Sequence, residues 1–188
     1  MKIYQNAAEA AEILRRGGFD DAEKAQAVRA IVADVRENGD KALFAYCKKF
    51  DGSALTAQTV RVSEEEFAAA YKAVDKELLS SLQKAVHNVY EYHRRSPKAE
   101  DIRTEGGRTT GYTVRPVERA GIYVPGGTAP LVSTVLMGVL PAKAAGVEHI
   151  YMCTPAKEGK VDPAVLVAAK ECGAEAVFKA GGAQAIAA

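Results

Sequence analysis

The sequence predicts an α/β protein, with a helical N-terminal region followed by the first βαβαβ part of an incomplete Rossmann-like parallel sheet. Three observations carry this. Apolar residues before Pro97 recur mostly at helical spacing. From Ala120 onward, short apolar runs alternate with helical segments, and strand starts recur about 27 residues apart, the rhythm of βαβ units. Glycine pairs, Gly126-Gly127 and Gly181-Gly182, fall where a strand hands over to a helix.

In chain order, Asn6 and Glu9 have capping-box spacing ahead of Ala10, Ile13 and Leu14, with Gly17-Gly18 as the stop. Asp20-Asp21 open a second helix with the stripe Val28, Ile31, Val32 and Val35, ended by Gly39. Asp40 restarts a short helix carrying Leu43, Phe44, Cys47 and Phe50 as far as Gly52. Val60-Arg61-Val62 is a brief strand candidate. Ser63 and Glu66 form another capping box, and Asp75 starts a long helix with Leu78, Leu79, Leu82, Val86, Val89 and Tyr90, ended at Ser96-Pro97. A hairpin is expected from Ile102 to Val117, turning at Gly106-Gly107. Strands are expected at Gly121–Val124, His149–Cys153 and Ala176–Lys179. Helices fall between them, over Leu131–Ala145 and from the Asp162-Pro163 cap to Cys172, with a new start at Ala183.

These elements suggest an N-terminal helical arm over residues 1–18 and a mostly helical first domain over 19–119. A Rossmann-like second domain begins at 120 and is incomplete at 188. Three strands and a six-residue helix start are expected to leave a sheet edge bare, as in a fragment.

Composition excludes several classes. With 25 Lys+Arg against 24 Asp+Glu and a net charge of +1, there is no electrostatic footprint for nucleic acid or a membrane surface. The uncharged run between Arg119 and Lys143 is broken by Pro125, Gly126 and Gly127, so it reads as two buried elements rather than a membrane span. Cys47, Cys153 and Cys172 are widely spaced and odd in number, which sets the cytoplasm as the default location and buried packing as their default role.

The candidates for chemistry are few. The loops Val124-Pro-Gly-Gly-Thr128 and Lys179-Ala-Gly-Gly-Ala-Gln184 lie where open α/β sheets bind ligands. Neither has GxGxxG or P-loop spacing, so spacing alone favours plain turn-making over binding and leaves both open. His87 and His93 fall on different helix faces, and the only carboxylate near His149 in sequence is Glu148. Ser133 and Thr134 lack a nucleophile elbow. Lys143 and Lys179 are crevice candidates, though solvation is the commoner role.

The residues themselves resemble a family. Arg119-Ala-Gly-Ile-Tyr-Val-Pro-Gly-Gly-Thr-Ala-Pro-Leu-Val-Ser-Thr-Val-Leu-Met137, Pro141-Ala-Lys-Ala-Ala-Gly-Val147, Gly181-Gly-Ala-Gln-Ala-Ile-Ala-Ala188 and Val32–Leu43 with Lys49-Phe-Asp-Gly52 are similar to the histidinol dehydrogenases. The resemblance implies an NAD-dependent, zinc-containing homodimer that oxidises L-histidinol to L-histidine through an aldehyde. It places the NAD contacts of the family's YVPGG and GGAQAIAA segments on Tyr123 and Gln184. The catalytic Glu-His pair, the zinc ligands and the substrate residues are expected beyond residue 188, so activity is not expected of this chain alone. The competing expectation is a non-catalytic nucleotide-binding or interaction module.

Overall fold

The computed structural model describes residues 6–7, 22–95, 100–126 and 129–188. Most of the expected arm over 1–18, the helix opening at Asp20-Asp21, the stop at Ser96-Pro97, and Gly127 and Thr128 lie outside these residues.

Four helices come first: α1 (Ala22–Asn38), α2 (Asp40–Asp51), α3 (Glu64–Ala73) and α4 (Lys76–Arg94). Only Gly39 separates α1 from α2, and its φ of 54° is open to glycine at little cost. The α3 start is a complete capping box. The Ser63 hydroxyl accepts from the Glu66 N–H at 3.3 Å, and Glu66 Oε2 accepts from the Ser63 N–H at 2.9 Å. Asp75 caps α4 by accepting from the Leu78 N–H at 2.7 Å.

An antiparallel hairpin follows, β1 (Asp101–Glu105) with β2 (Arg108–Tyr112), shorter than the expected arm to Val117. Then β3 (Arg119–Tyr123), α5 (Val132–Ala145), β4 (His149–Cys153), α6 (Pro163–Cys172), β5 (Ala176–Phe178) and α7 (Gly182–Ala187) complete the chain. The strands β3, β4 and β5 lie parallel in that order, with Ile122 opposite Met152 and Met152 opposite Val177. Crossovers of this kind are right-handed, which puts α5 and α6 on one face of the sheet.

On that face Ile150, Met152 and Val177 meet Val135, Val139 and Leu140 of α5 and Val165 to Ala169 of α6 in one buried core. Phe67 and Ala70 of α3 and Leu82 of α4 enter the same core, so it draws on both sides of position 119. A smaller cluster, Leu43, Cys47, Leu55 and Ala180, seats α2 beside α7. Cys47 and Cys172 are fully buried, and burial pushes their thiols up to about 11 and about 12, so both pack as small hydrophobes. Among the described residues no helix is long and apolar enough to cross a membrane.

The expected bare edge is not found beside β5. The Val62 N–H donates to the Val177 carbonyl at 2.9 Å and the Lys179 N–H to the Val60 carbonyl at 2.7 Å. These bonds flank an antiparallel bridge between Arg61 and Phe178. The Val60–Val62 candidate therefore forms, but as a cover for the sheet edge rather than a strand of its own.

Candidate functional site

The loops that leave β3, β4 and β5 meet at one end of the sheet. At the β3 end, Tyr123 turns its hydroxyl to the β5 loop, where it accepts from the Gly182 N–H at 3.3 Å. Between these loops stands Pro155, just past β4. A Cβ added at Gly126 would lie 2.6 Å from Pro155 Cγ, and one added at Gly181 would lie 2.6 Å from Pro155 Cβ. The sequence reading gave these glycines to turn-making or to a ligand. At Gly126 and Gly181, Pro155 occupies the space a Cβ would need, a packing requirement that stands beside those two roles. At Gly182 the backbone decides, with φ at +66°.

Around this junction opens a cleft of about 1160 Å³. Tyr123, Gly126, Pro155, Gly182 and Gln184 line its loop side, and Val28, Ile31, Phe50 and Asp51 line a wall supplied by α1 and α2. Gln184 is only 2% exposed, and its amide folds over Gly182 at the cleft wall. A cleft of this size beyond the carboxyl ends of parallel strands fits a dinucleotide.

One buried hydroxyl holds a further part of the cleft. Ser53 is fully buried; its Oγ donates to the Ala156 carbonyl at 2.6 Å and accepts from the Gly159 N–H at 2.9 Å. It thereby pins the turn that carries Lys157 and Lys160, both cleft residues, to the segment after α2. Replacing Ser53 with alanine leaves two backbone groups unpaired and is expected to cost about 1–3 kcal/mol. Urea unfolding checks this, and Ser53→Thr failing to recover any of the loss would show that packing rather than the hydroxyl matters.

Asp51 differs from its neighbours. Its Oδ2 is buried with no hydrogen-bond partner, and burial raises its carboxyl above the usual range. Neither the glycine loops nor a periodicity argument singled it out, although the Lys49-Phe-Asp-Gly52 stretch contains it.

Other candidates lie away from the cleft. Lys179 is 6% exposed and its Nζ bonds Glu66 Oε1 at 2.8 Å, while the Lys143 Nζ donates to the Cys172 carbonyl at 3.4 Å near the end of α6. His149 has a carboxylate that sequence proximity did not reveal. Its Nδ1 lies 2.7 Å from Glu175 Oε2, and the Tyr151 hydroxyl donates to Glu175 Oε1 at 3.1 Å. The His149 contact, chiefly, holds the Glu175 carboxyl below its ordinary value. Among the described residues, no group of three or more His, Cys, Asp or Glu side chains could hold a metal, so this part of the chain does not fit a zinc site.

Fold and cleft together define an α/β protein of the Rossmann-like kind, with a cleft at the carboxyl end of its parallel strands. The histidinol dehydrogenase family model matches residues 14–188. The histidinol dehydrogenase of Caldanaerobacter subterraneus subsp. tengcongensis is 44% identical over 177 residues, covering 94% of this chain and 41% of the relative. That of Synechococcus sp. is 45% identical over 195 residues, covering all of this chain and 45% of the relative. The crystal structure of histidinol dehydrogenase from Elizabethkingia anophelis superposes with a TM-score of 0.86 at 37% identity, covering 99% of this chain and 43% of that one. The chain belongs to the histidinol dehydrogenase family. It spans less than half the length of these relatives.

Proposed function

We propose that this chain supplies the NAD cleft of a cytoplasmic, homodimeric enzyme that oxidises L-histidinol to L-histidine through the aldehyde. The observation that carries the reading is the meeting of the Tyr123 and Gln184 loops in one cleft, joined by the Tyr123–Gly182 hydrogen bond. NAD supplies the hydride acceptor when bound. The chain's own residues bind and orient. Gln184 lines the cleft, where its amide carries both hydrogen-bond donors and an acceptor. The Tyr123 ring lines the cleft while its hydroxyl ties the β3 loop to the start of α7.

Among the described residues no group of three or more His, Cys, Asp or Glu could hold zinc, and the His149–Glu175 pair does not line the cleft, so this reading gives proton transfer and metal binding to residues other than these. The purified 188-residue chain is therefore expected to bind NAD saturably and to form no NADH with L-histidinol. Gln184→Ala is expected to weaken NAD binding about tenfold, the worth of one or two hydrogen bonds in a dry site. Calorimetric titration decides. Absence of saturable NAD binding by the parent chain defeats the cleft assignment, and histidinol-dependent NADH formation defeats the assignment of catalysis elsewhere.

A further inference from the structure

We propose that the β1–β2 hairpin is a contact surface between two copies of this chain, in which the outer edge of β2 pairs antiparallel with the same edge of the partner about a two-fold axis. This surface lies apart from the cleft lining, and it rests on the homodimer part of the proposed function alone.

By itself the hairpin is unfinished. No residue of β1 or β2 is buried, and among the described residues neither strand pairs with anything but the other. Ile102, Tyr112 and Val114 are each more than half exposed. A two-stranded hairpin without a packed face is marginal in water, and its edges offer unpaired backbone groups to a further strand.

Turn geometry decides which backbone groups are free. Gly106 and Gly107 have φ of 57° and 74°, as a type I′ turn between Glu105 and Arg108 requires. The pair flanking such a turn exchanges both of its hydrogen bonds, and the pattern alternates from there. Arg108, Thr110 and Tyr112 therefore bond to β1, while Thr109 and Gly111 direct their N–H and C=O groups outward. On β1 the outward residues are Ile102 and Thr104.

Side-chain chemistry then selects the edge. Two copies in full antiparallel overlap along β2 centre on Thr110, and Thr109 exchanges hydrogen bonds with the partner's Gly111. The close, non-hydrogen-bonded pairs are Thr110 with the partner's Thr110 and Arg108 with the partner's Tyr112. The first brings two hydroxyls together and the second sets a cation over a ring. Arg108 is free for this role, having no ion pair among the described residues, whereas Arg103 is bound to Asp101 at 2.8 Å. The same overlap along β1 sets Arg103 against the partner's Arg103 and Asp101 against the partner's Glu105, and like charges at this spacing repel. A two-fold contact must complement itself, which β2 does in full overlap and β1 does not.

Sedimentation of the 188-residue chain over a range of concentrations tests this with two matched prolines. Thr109→Pro removes an outward N–H on β2, and Thr104→Pro removes one on β1. Neither N–H serves the hairpin, and both variants lose the same Thr104–Thr109 hydroxyl bond of 2.9 Å. The parent chain is expected to form a reversible dimer. Thr109→Pro is expected to raise its dissociation constant about tenfold or more, the worth of one or two hydrogen bonds, and Thr104→Pro to leave it within about twofold. Arg108→Ala and Tyr112→Ala, which leave the backbone intact, are each expected to weaken the dimer, and the double variant no more than the stronger single. Additive losses from those two overturn the Arg108–Tyr112 pairing. A dimer that Thr109→Pro leaves intact, or that both prolines weaken equally, overturns the β2 edge while the homodimer reading stands. Species larger than a dimer overturn the two-fold arrangement. A chain monomeric at every concentration overturns the surface and the self-association of this chain together, and gives the hairpin to the rest of a longer protein.

Discussion

Replacing Glu66 with glutamine is expected to lower the unfolding free energy by about 2–4 kcal/mol, because it leaves a charged ammonium buried without its partner. The Lys179 side chain is 7% exposed and its Nζ lies 2.8 Å from Glu66 Oε1. Glu66 is 35% exposed, so solvent screens part of the interaction and the loss falls at the lower end for broken buried pairs. Glutamine retains an amide oxygen for the Ser63 N–H, so the α3 capping box survives and the loss reports the charge. Lys179→Met removes the ammonium itself and is expected to cost less than about 1 kcal/mol. The double variant should recover most of what Glu66→Gln loses. Urea unfolding of the four chains settles it, and equal losses from the two single variants would show that the pair acts by packing. The consequence reaches the cleft, because Lys179 immediately precedes the loop that presents Gly182 and Gln184.

That ion pair also marks the limit of what can be read from the sequence. Local signals were legible because their causes are local. The Ser63–Glu66 box, the Asp75 and Asp162 caps, and the left-handed stops at Gly52 and Gly173 each depend on residues within a turn or two. The parallel sheet followed from the alternation of short apolar runs with helices. The two site loops were legible as loops, and family resemblance selected Tyr123 and Gln184 within them. Their meeting through the Gly182 N–H was not legible. Lys179 and Glu66 are 113 residues apart, and Ser53 and Ala156 are 103 apart, so no window joins them. The Val60–Val62 candidate had the composition of a strand, but only the fold reveals that it covers β5. Asp51 was hidden for a different reason. A carboxylate in the last turn of a helix looks like any solvated acid until burial of its oxygen is seen.

A paired set of substitutions tests whether Pro155 is what requires glycine at Gly126 and Gly181. Neither Gly126 nor Gly181 has a positive φ, so alanine suits the backbone at both, and any penalty must come from Pro155. At Gly126 the close atom is Pro155 Cγ at 2.6 Å, with Cβ and Cδ at 3.6 Å. At Gly181 it is Pro155 Cβ at 2.6 Å, followed by Cδ at 2.8 Å and Cγ at 2.9 Å. The proline has little room to retreat. The Thr154 N–H is bonded to the Phe178 carbonyl at 3.0 Å, and the Ala156 carbonyl is held by Ser53. Each single alanine is expected to cost about 1–3 kcal/mol, as overpacking of a tight contact does. Pro155→Ala discards Cγ and Cδ but keeps Cβ, so it separates the two cases. The Gly126→Ala penalty should largely vanish in the Pro155→Ala background, whereas most of the Gly181→Ala penalty should remain. Nucleotide binding should follow the same order, since the clash at Gly181 displaces the loop that holds Gln184 and the clash at Gly126 displaces the one after Tyr123. If Pro155→Ala relieves both glycine variants equally, or neither, then Pro155 is not what requires glycine at these positions, and close approach of a ligand becomes the better explanation.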